Sequence, residues 1–228
     1  MIKGYIFDYG GTLDTGGQHW GKVIWHAYER QQVPVSEADF RDAYVYAERT
    51  LGKNPIIKPD FTFKRTLKEK IRIELEFLGK SEYQEAVVND LYGITQTETT
   101  RSREVLIELK KYFPMVLVSN FYGNISTVLK EFKLDGIFDT IIESAVVGVR
   151  KPDPKIFTLG VEALKMQPDE VVVVGDSMDK DIIPASKAGC HTVWFKGEGW
   201  TNDPVDATAA ERIITELKQL KTLDVTKR

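Results

Sequence analysis

The sequence predicts an α/β protein: a Rossmann-like, doubly wound parallel sheet core with an inserted α-helical cap. Three observations lead there. Short apolar runs end in small, polar or acidic loop residues: Ile2–Phe7 before Asp8, Met115–Val118 before Ser119-Asn120, Val171–Val174 before Gly175-Asp176, and Thr192–Phe195 before Lys196-Gly197. None of these runs alternates in polarity, as expected of strands in a parallel sheet covered on both faces. From Glu104 onward helical patterns alternate with them, the βα order of a doubly wound sheet, whereas residues 16–98 hold four successive helical patterns and no strand signal.

Taken in order, the first strand ends at Asp8 and is followed by Gly10 and Gly11, a tight loop. Trp20, Val23, Ile24 and Ala27 mark the first helix of the insertion by their shared face. Phe40, Tyr44, Ala47 and Leu51 mark the second, entered through Ser36-x-x-Asp39, a variant of the capping box. Leu67, Ile71, Leu75 and Leu78 mark the third, and Tyr83, Val87 and Leu91 the fourth. Beyond the second strand, Ile125, Val128, Leu129 and Phe132 form one helical face, and Thr140–Ile142 is a weaker strand candidate. Ile156, Gly160 and Leu164 follow Pro154 at a helix start, and a helix from about Ile182 stops at Gly189. The core is expected over 1–15 and 99–228 and the cap over 16–98, with Gly16-Gly17 and Thr95–Thr100 as hinges that let the cap open and close.

With 228 residues, the chain is about 1.5 times a typical domain of roughly 150, which fits a core with a large insertion. Hydrophobic residues make up 42% and charged residues 29%, a balance that excludes disorder over most of the length. The net charge of −3 gives no global positive field to hold a nucleic-acid backbone, so no nucleic-acid partner is expected. No apolar run approaches the roughly 18 residues that span a bilayer, and Asp8 comes too early for a signal peptide, so no membrane partner is expected either. A lone cysteine, Cys190, excludes an intrachain disulfide and a cysteine zinc site and suits a reducing, cytoplasmic setting. Nothing in the sequence bears on oligomeric state.

In an open parallel sheet, ligands bind outside the carboxyl ends of the strands. Read there together are Asp8, Ser119 with Asn120, Lys151, and Asp176 with Asp181. Carboxylates supply oxygen ligands for Mg²⁺, a lysine and a hydroxyl make an electrostatic cradle for transferred oxygens, and an aspartate can itself attack phosphorus. A hard cation and a phosphoryl group are the chemistry these residue types suit.

The stretches Phe7-Asp8-Tyr9-Gly10-Gly11-Thr12-Leu13-Asp14, Val116–Asn120, Arg150-Lys151-Pro152-Asp153-Pro154 and Val174-Gly175-Asp176-Ser177 through Asp181 to Gly189 occur in an order that resembles the haloacid dehalogenase-like hydrolase superfamily, in its branch with a helical cap after the first motif. The resemblance implies Mg²⁺-dependent hydrolysis of a small phosphorylated metabolite through an aspartyl phosphate. Asp8 is then the nucleophile, Ser119 binds a phosphoryl oxygen with Asn120 and Gly11 beside it, and Lys151 offsets the charge on nucleophile and phosphate. The metal falls to Asp8, Asp176, Asp181 and the backbone carbonyl of Gly10. One departure stands out: phosphatases of the superfamily carry Asp-x-Asp-Gly-Thr, and the second aspartate, the general acid and base, is Gly10 here. A positioned acid contributes roughly 10²–10⁴ in rate, so a weakened or redirected phosphatase is expected.

Two other functions fit the same scaffold. Relatives that cleave C–P bonds place a small residue at the position of Gly10 and use a cap lysine for a Schiff base, for which Lys22, Lys53, Lys58, Lys64, Lys68, Lys70 and Lys80 all stand as candidates. A catalytically silent phosphate-binding module is the other. His19, just beyond the first motif, is a candidate replacement acid by its near-neutral pKa, and Asp14 reads as a turn or cap residue. Trp20, Trp25, Tyr44, Tyr46, Phe61 and Phe63 read as cap core, with one or two at a substrate pocket. His26 and His191 read as packing or surface residues, and Cys190 as an inert buried thiol.

Overall fold

The computed structural model describes residues 1–201 and 204–223; residues 202–203 and 224–228, part of the expected core, lie outside the described residues. Six parallel strands form one sheet, β1 (Gly4–Phe7), β2 (Met115–Ser119), β3 (Thr140–Glu143), β4 (Val171–Gly175), β5 (His191–Phe195) and β6 (Arg212–Ile214), in the order β3-β2-β1-β4-β5-β6. The order reverses at β1, so the crevice between β1 and its neighbours opens at the ends of β2, β1 and β4. Pairing Phe7 with Leu117 and with Val174 brings Asp8, Ser119 and Asp176 to one edge.

The non-alternating runs are explained by two cores, one on each face. Tyr5, Phe7, Met115, Leu117, Val172, Val174, Val193 and Phe195 face one side, and Ile6, Val116, Val118, Val171 and Val173 the other. The second face is covered by Ile156, Phe157 and Val161 of α7 (Lys155–Leu164), which follows the one-turn α6 (Ser144–Val147), and by Ala185 of α8 (Ile183–Lys187). The first is covered by α5 (Ile125–Glu131) and by the end of a long helix from the insertion. The strand β6 has no counterpart in the sequence reading, because three residues at a sheet edge, only Ile214 of them buried, carry neither an apolar run nor a period.

The insertion consists of α1 (Trp20–Arg30), α2 (Glu37–Lys53), α3 (Phe63–Leu78) and α4 (Gln84–Lys110). Ser36 caps α2 by accepting the Asp39 N–H at 3.2 Å, and Thr62 caps α3 through the Arg65 N–H at 3.2 Å. α4 corrects one expectation: Thr95–Thr100, read as an irregular hinge, is helical, and α4 runs unbroken from the cap into the core. The threonines do not break it because their hydroxyls bond back into the preceding turn, Thr97 to Gly93 O at 3.0 Å, Thr99 to Thr95 O at 2.7 Å and Thr100 to Gln96 O at 2.7 Å. The other expected hinge, Gly16-Gly17, is irregular, and Gly17 O accepts the Gly197 N–H at 3.1 Å. No described helix is long and apolar enough to cross a membrane.

Candidate active site

β1, β4 and the loop before α7 bring Asp8, Asp176, Asp181 and Lys151 together at the sheet edge. Asp8, at 4% exposure, and Lys151, at 5%, are buried against each other. The Lys151 ammonium donates to Asp8 Oδ1 and, at 2.7 Å, to Asp181 Oδ1. The second oxygen of Asp181 accepts the Ser177 N–H at 3.0 Å, so Asp181 fixes both the lysine and the turn after β4. That turn, Met178–Ile182, is π-helical, the wider winding that places Asp181 beneath β4.

Thr12 ties the first loop to the fourth. Its hydroxyl shares its proton between Asp8 Oδ2 at 3.1 Å and Asp176 Oδ1 at 3.0 Å, and accepts the Asp176 N–H at 3.0 Å. Gly11 sits beneath this contact at φ +99°, where a Cβ would lie 2.5 Å from the Asp176 carboxylate, so only glycine lets the two loops approach. The Gly11 N–H donates to Asp14 Oδ1 at 2.7 Å, and the Trp20 Nε1–H to Asp14 Oδ2 at 3.0 Å. Both Asp14 oxygens are therefore spent on the loop and on the first helix of the cap.

Oxygens of Asp8, Asp176 and Asp181 lie within 4.8 Å of one another. Burial, and then the neighbouring carboxylates of Asp181 and Asp8, hold the Asp176 carboxyl well above the usual range. Burial likewise pushes Asp8 up to about 6 despite the pull of Lys151. Burial works against the Lys151 charge too, but Asp181 and Asp8 keep it firmly cationic. With three carboxylates against one lysine, this oxygen-only donor set fits a hard divalent cation such as Mg²⁺, whose charge would relieve the mutual repulsion.

Ser119 ends β2 at 1% exposure, and its hydroxyl bonds to no described residue. Asn120 clasps the lysine loop, its Nδ2 donating to Lys151 O at 3.1 Å and its Oδ1 accepting the Lys151 N–H at 2.9 Å. Gly10 lines the cavity above Asp8, and a Cβ there would meet nothing nearer than the Trp20 ring at 3.9 Å. His19 lines it too, but its Nδ1 accepts the Gly21 N–H at 3.0 Å as the cap of α1, and burial pushes it down to about 4. It is a neutral imidazole at physiological pH, with no acidic proton to give.

The cavity, about 170 Å³, is roofed by Tyr44, Glu48, Phe63, Leu67 and Lys70 from α2 and α3. Of the seven cap lysines only Lys70 reaches it; its ammonium bonds Glu48 and lies 4.4 Å from the Tyr44 ring centroid. Burial opposes its charge, yet Glu48 and the tyrosines hold it well above the ordinary lysine range. Sequence reasoning missed Thr12 as a bridge, although it stands in the first motif, and missed Glu48, Tyr122 and Lys180 at the cavity wall, for which the chain carries no signal. Cys190 is buried, its thiol pushed up to about 12 by desolvation, and inert.

A model of the haloacid dehalogenase-like hydrolase family matches residues 2–189. Glyceraldehyde 3-phosphate phosphatase of Pyrococcus furiosus is 34% identical over 126 residues, 54% of this chain and 52% of that protein. Phosphoserine phosphatase of Thermus thermophilus is 39% identical over 57 residues, 25% of this chain and 23% of that protein. The chain thus matches about half the length of the first and less of the second. Among solved structures, a dehalogenase with an intermediate complex superposes with a TM-score of 0.66 at 21% identity, covering 99% of this chain and 98% of that one. The magnesium-bound HAD-hydrolase YfnB of Bacillus subtilis gives a TM-score of 0.62 at 17% identity, covering 97% of each. At such identities these structures speak for the fold.

Proposed function

The chain belongs to the haloacid dehalogenase-like hydrolase family, and from that premise we propose that it is a Mg²⁺-dependent phosphatase of a small phosphorylated metabolite. The observation that carries this reading is the buried cluster in which Lys151 bridges Asp8 and Asp181 while Thr12 bridges Asp8 and Asp176. The phosphatase names of the two relatives agree with it.

In the first step an Asp8 oxygen attacks phosphorus, the ester P–O bond breaks, and the leaving alkoxide takes up a proton. Water then attacks the phosphorus of the aspartyl phosphate, releasing inorganic phosphate and restoring the carboxylate. Lys151 steers the Asp8 oxygen and neutralises part of the phosphoryl charge, and the Ser119 hydroxyl, with Asn120 beside it, receives a phosphoryl oxygen in this reading. Asp8, Asp176, Asp181 and the carbonyl of Gly10 would hold Mg²⁺, which when bound would supply positive charge between carboxylate and phosphate. Gly10 offers no proton, His19 is neutral, and Asp14, though burial pushes its carboxyl up to about 8, turns its two oxygens to the Gly11 and Trp20 N–H groups. Departure therefore depends on the leaving group's own stability, and acyl and aryl phosphates are preferred to alkyl ones.

The C–P-cleaving alternative asks for a neutral amine, and Lys70, the one cap lysine at the cavity, is an ion-paired ammonium. The deciding experiment is a panel of aryl, acyl and alkyl phosphates assayed with Mg²⁺ and with excess chelator, alongside Asp176→Ala. Phosphate release that needs both Mg²⁺ and Asp176 is the expected result. Full activity in chelator, or Mg²⁺-dependent phosphate binding with no turnover of any ester, would overturn it, the latter in favour of a silent module.

A further inference from the structure

Outside the catalytic cavity lies a second hollow, about 560 Å³, that shares Glu48, Asn120, Phe121, Tyr122 and Lys180 with it and so forms its approach. Three cations from three separate elements line this hollow: Lys53 at the end of α2, Arg150 in the loop leading to Lys151, and Lys180 in the turn after β4. No ion pair or side-chain hydrogen bond is made by any of them among the described residues. Glu48 is the only carboxylate among the described residues lining the hollow, and it is already engaged by Lys70. In a chain of net charge −3, three unpaired cations facing one occupied acid are a local excess that the overall composition does not supply. Such a concave positive wall concentrates anions and steers them inward.

We propose that this hollow is a second anion site, and that the substrate carries, besides the phosphoryl group cleaved at Asp8, a second anionic group, carboxylate or phosphate, that Lys53, Arg150 and Lys180 receive. The inference rests on the phosphatase reading for which group is cleaved, but its binding chemistry does not depend on turnover. The planar, five-donor guanidinium of Arg150 suits either group bidentately, and the two lysines add point charges. Lys180 lines both spaces, so it links the anion site to the cavity.

The test uses a homologous series of n-alkyl phosphates, the matching ω-carboxyalkyl phosphates and the matching alkane bisphosphates, in Mg²⁺. Binding is measured by calorimetry on Asp8→Asn and turnover on the otherwise unaltered chain. One or both doubly anionic series should bind more tightly than the plain alkyl phosphates of equal length, and the tighter of the two names the group. That preference should fall about fivefold in Lys53→Ala/Arg150→Ala, as two exposed ion pairs would give, shrink with added salt, and be restored in part by Lys53→Arg/Arg150→Lys. Equal affinities across the three series, or a preference undiminished in the double variant, would overturn the anion site. If the preference holds while no ester is hydrolysed, the anion site stands and the phosphatase reading is what fails.

Discussion

On the floor of the cavity the carboxylates and Lys151 stand on the loops beyond the strand ends, each fixed by hydrogen bonds: Lys151 to Asp8 and Asp181, Asp176 to Thr12, Asp14 to Gly11 and Trp20. On the roof, Tyr44, Glu48 and Lys70 project from the middle of α2 and α3 and are held by helix packing and by one ion pair beside an aromatic ring. The floor is a hydrogen-bonded set in which exchanging one member disturbs the bonds of another. The roof is a packed surface whose polar groups face the cavity. Chemistry should therefore fail on the floor and selectivity should shift on the roof, a contrast that substitutions can break.

The largest effect is expected from Asp8→Asn. An amide cannot attack phosphorus, and deleting a nucleophile that acts with partners lowers kcat on the order of 10⁴–10⁶. The fold should persist, since Asn keeps the shape and still accepts from Lys151 or Thr12. Phosphate release together with circular dichroism measures both, and turnover at the unaltered rate would contradict covalent catalysis.

Next comes Gly10→Asp, which returns a proton donor to the floor. The nearest obstacle to a side chain there is the Trp20 ring, 3.9 Å from the new Cβ, so the loop accepts it. Alkyl phosphate turnover should rise by up to about 10²–10⁴ and the steep dependence of rate on leaving-group pKa should flatten. A flat dependence in the unaltered chain would mean that another group already supplies the proton.

A smaller effect separates floor from roof by pH. Burial pushes Asp14 on the floor up to about 8 and Glu74, behind the roof, up to about 7. In the unfolded chain both lose their protons near ordinary carboxylate values. Between those values and the raised ones the folded state binds more protons, so stability falls as pH rises, by up to about 1.4 kcal/mol per unit for each group. Chemical denaturation in chelator from about pH 5 to pH 8 should show this decline, and Asp14→Asn should flatten it more toward the alkaline end than Glu74→Gln. A stability that rises across the window would contradict both assignments.

The smallest expected change is Trp200→Ala. This ring, on the loop after β5, lies 5.1 Å from His19, 4.9 Å from Tyr44 and 4.2 Å from the Arg41 guanidinium, and the Arg41 side chain donates to Trp200 O at 2.8 Å. It straps the roof to the core, so its loss should cost about 1–2 kcal/mol of stability and raise KM several-fold with kcat little changed. A drop in kcat equal to that of a floor variant would erase the distinction.

The same contrast governs what the chain alone discloses. The strand ends, the order of the motifs and the identity of Asp8, Lys151, Asp176 and Asp181 are local facts. A buried parallel strand must be apolar throughout, and the residue after it must lie at the sheet edge, so a run of valines followed by Gly175-Asp176 already places a carboxylate. The capped start of α2 is local as well, from Ser36. What no window reveals is set by partners distant in sequence. Thr95–Thr100 reads as a break until the hydroxyls find carbonyls one turn back and the helix carries on into the core. Asp14 reads as a turn residue until Trp20 closes over it. Glu48 and Lys70 carry no distinguishing sign of a site in the sequence; they join one when α2 packs on α3 and pairs them, because a charge becomes part of a site when other elements remove its water and supply its neighbours.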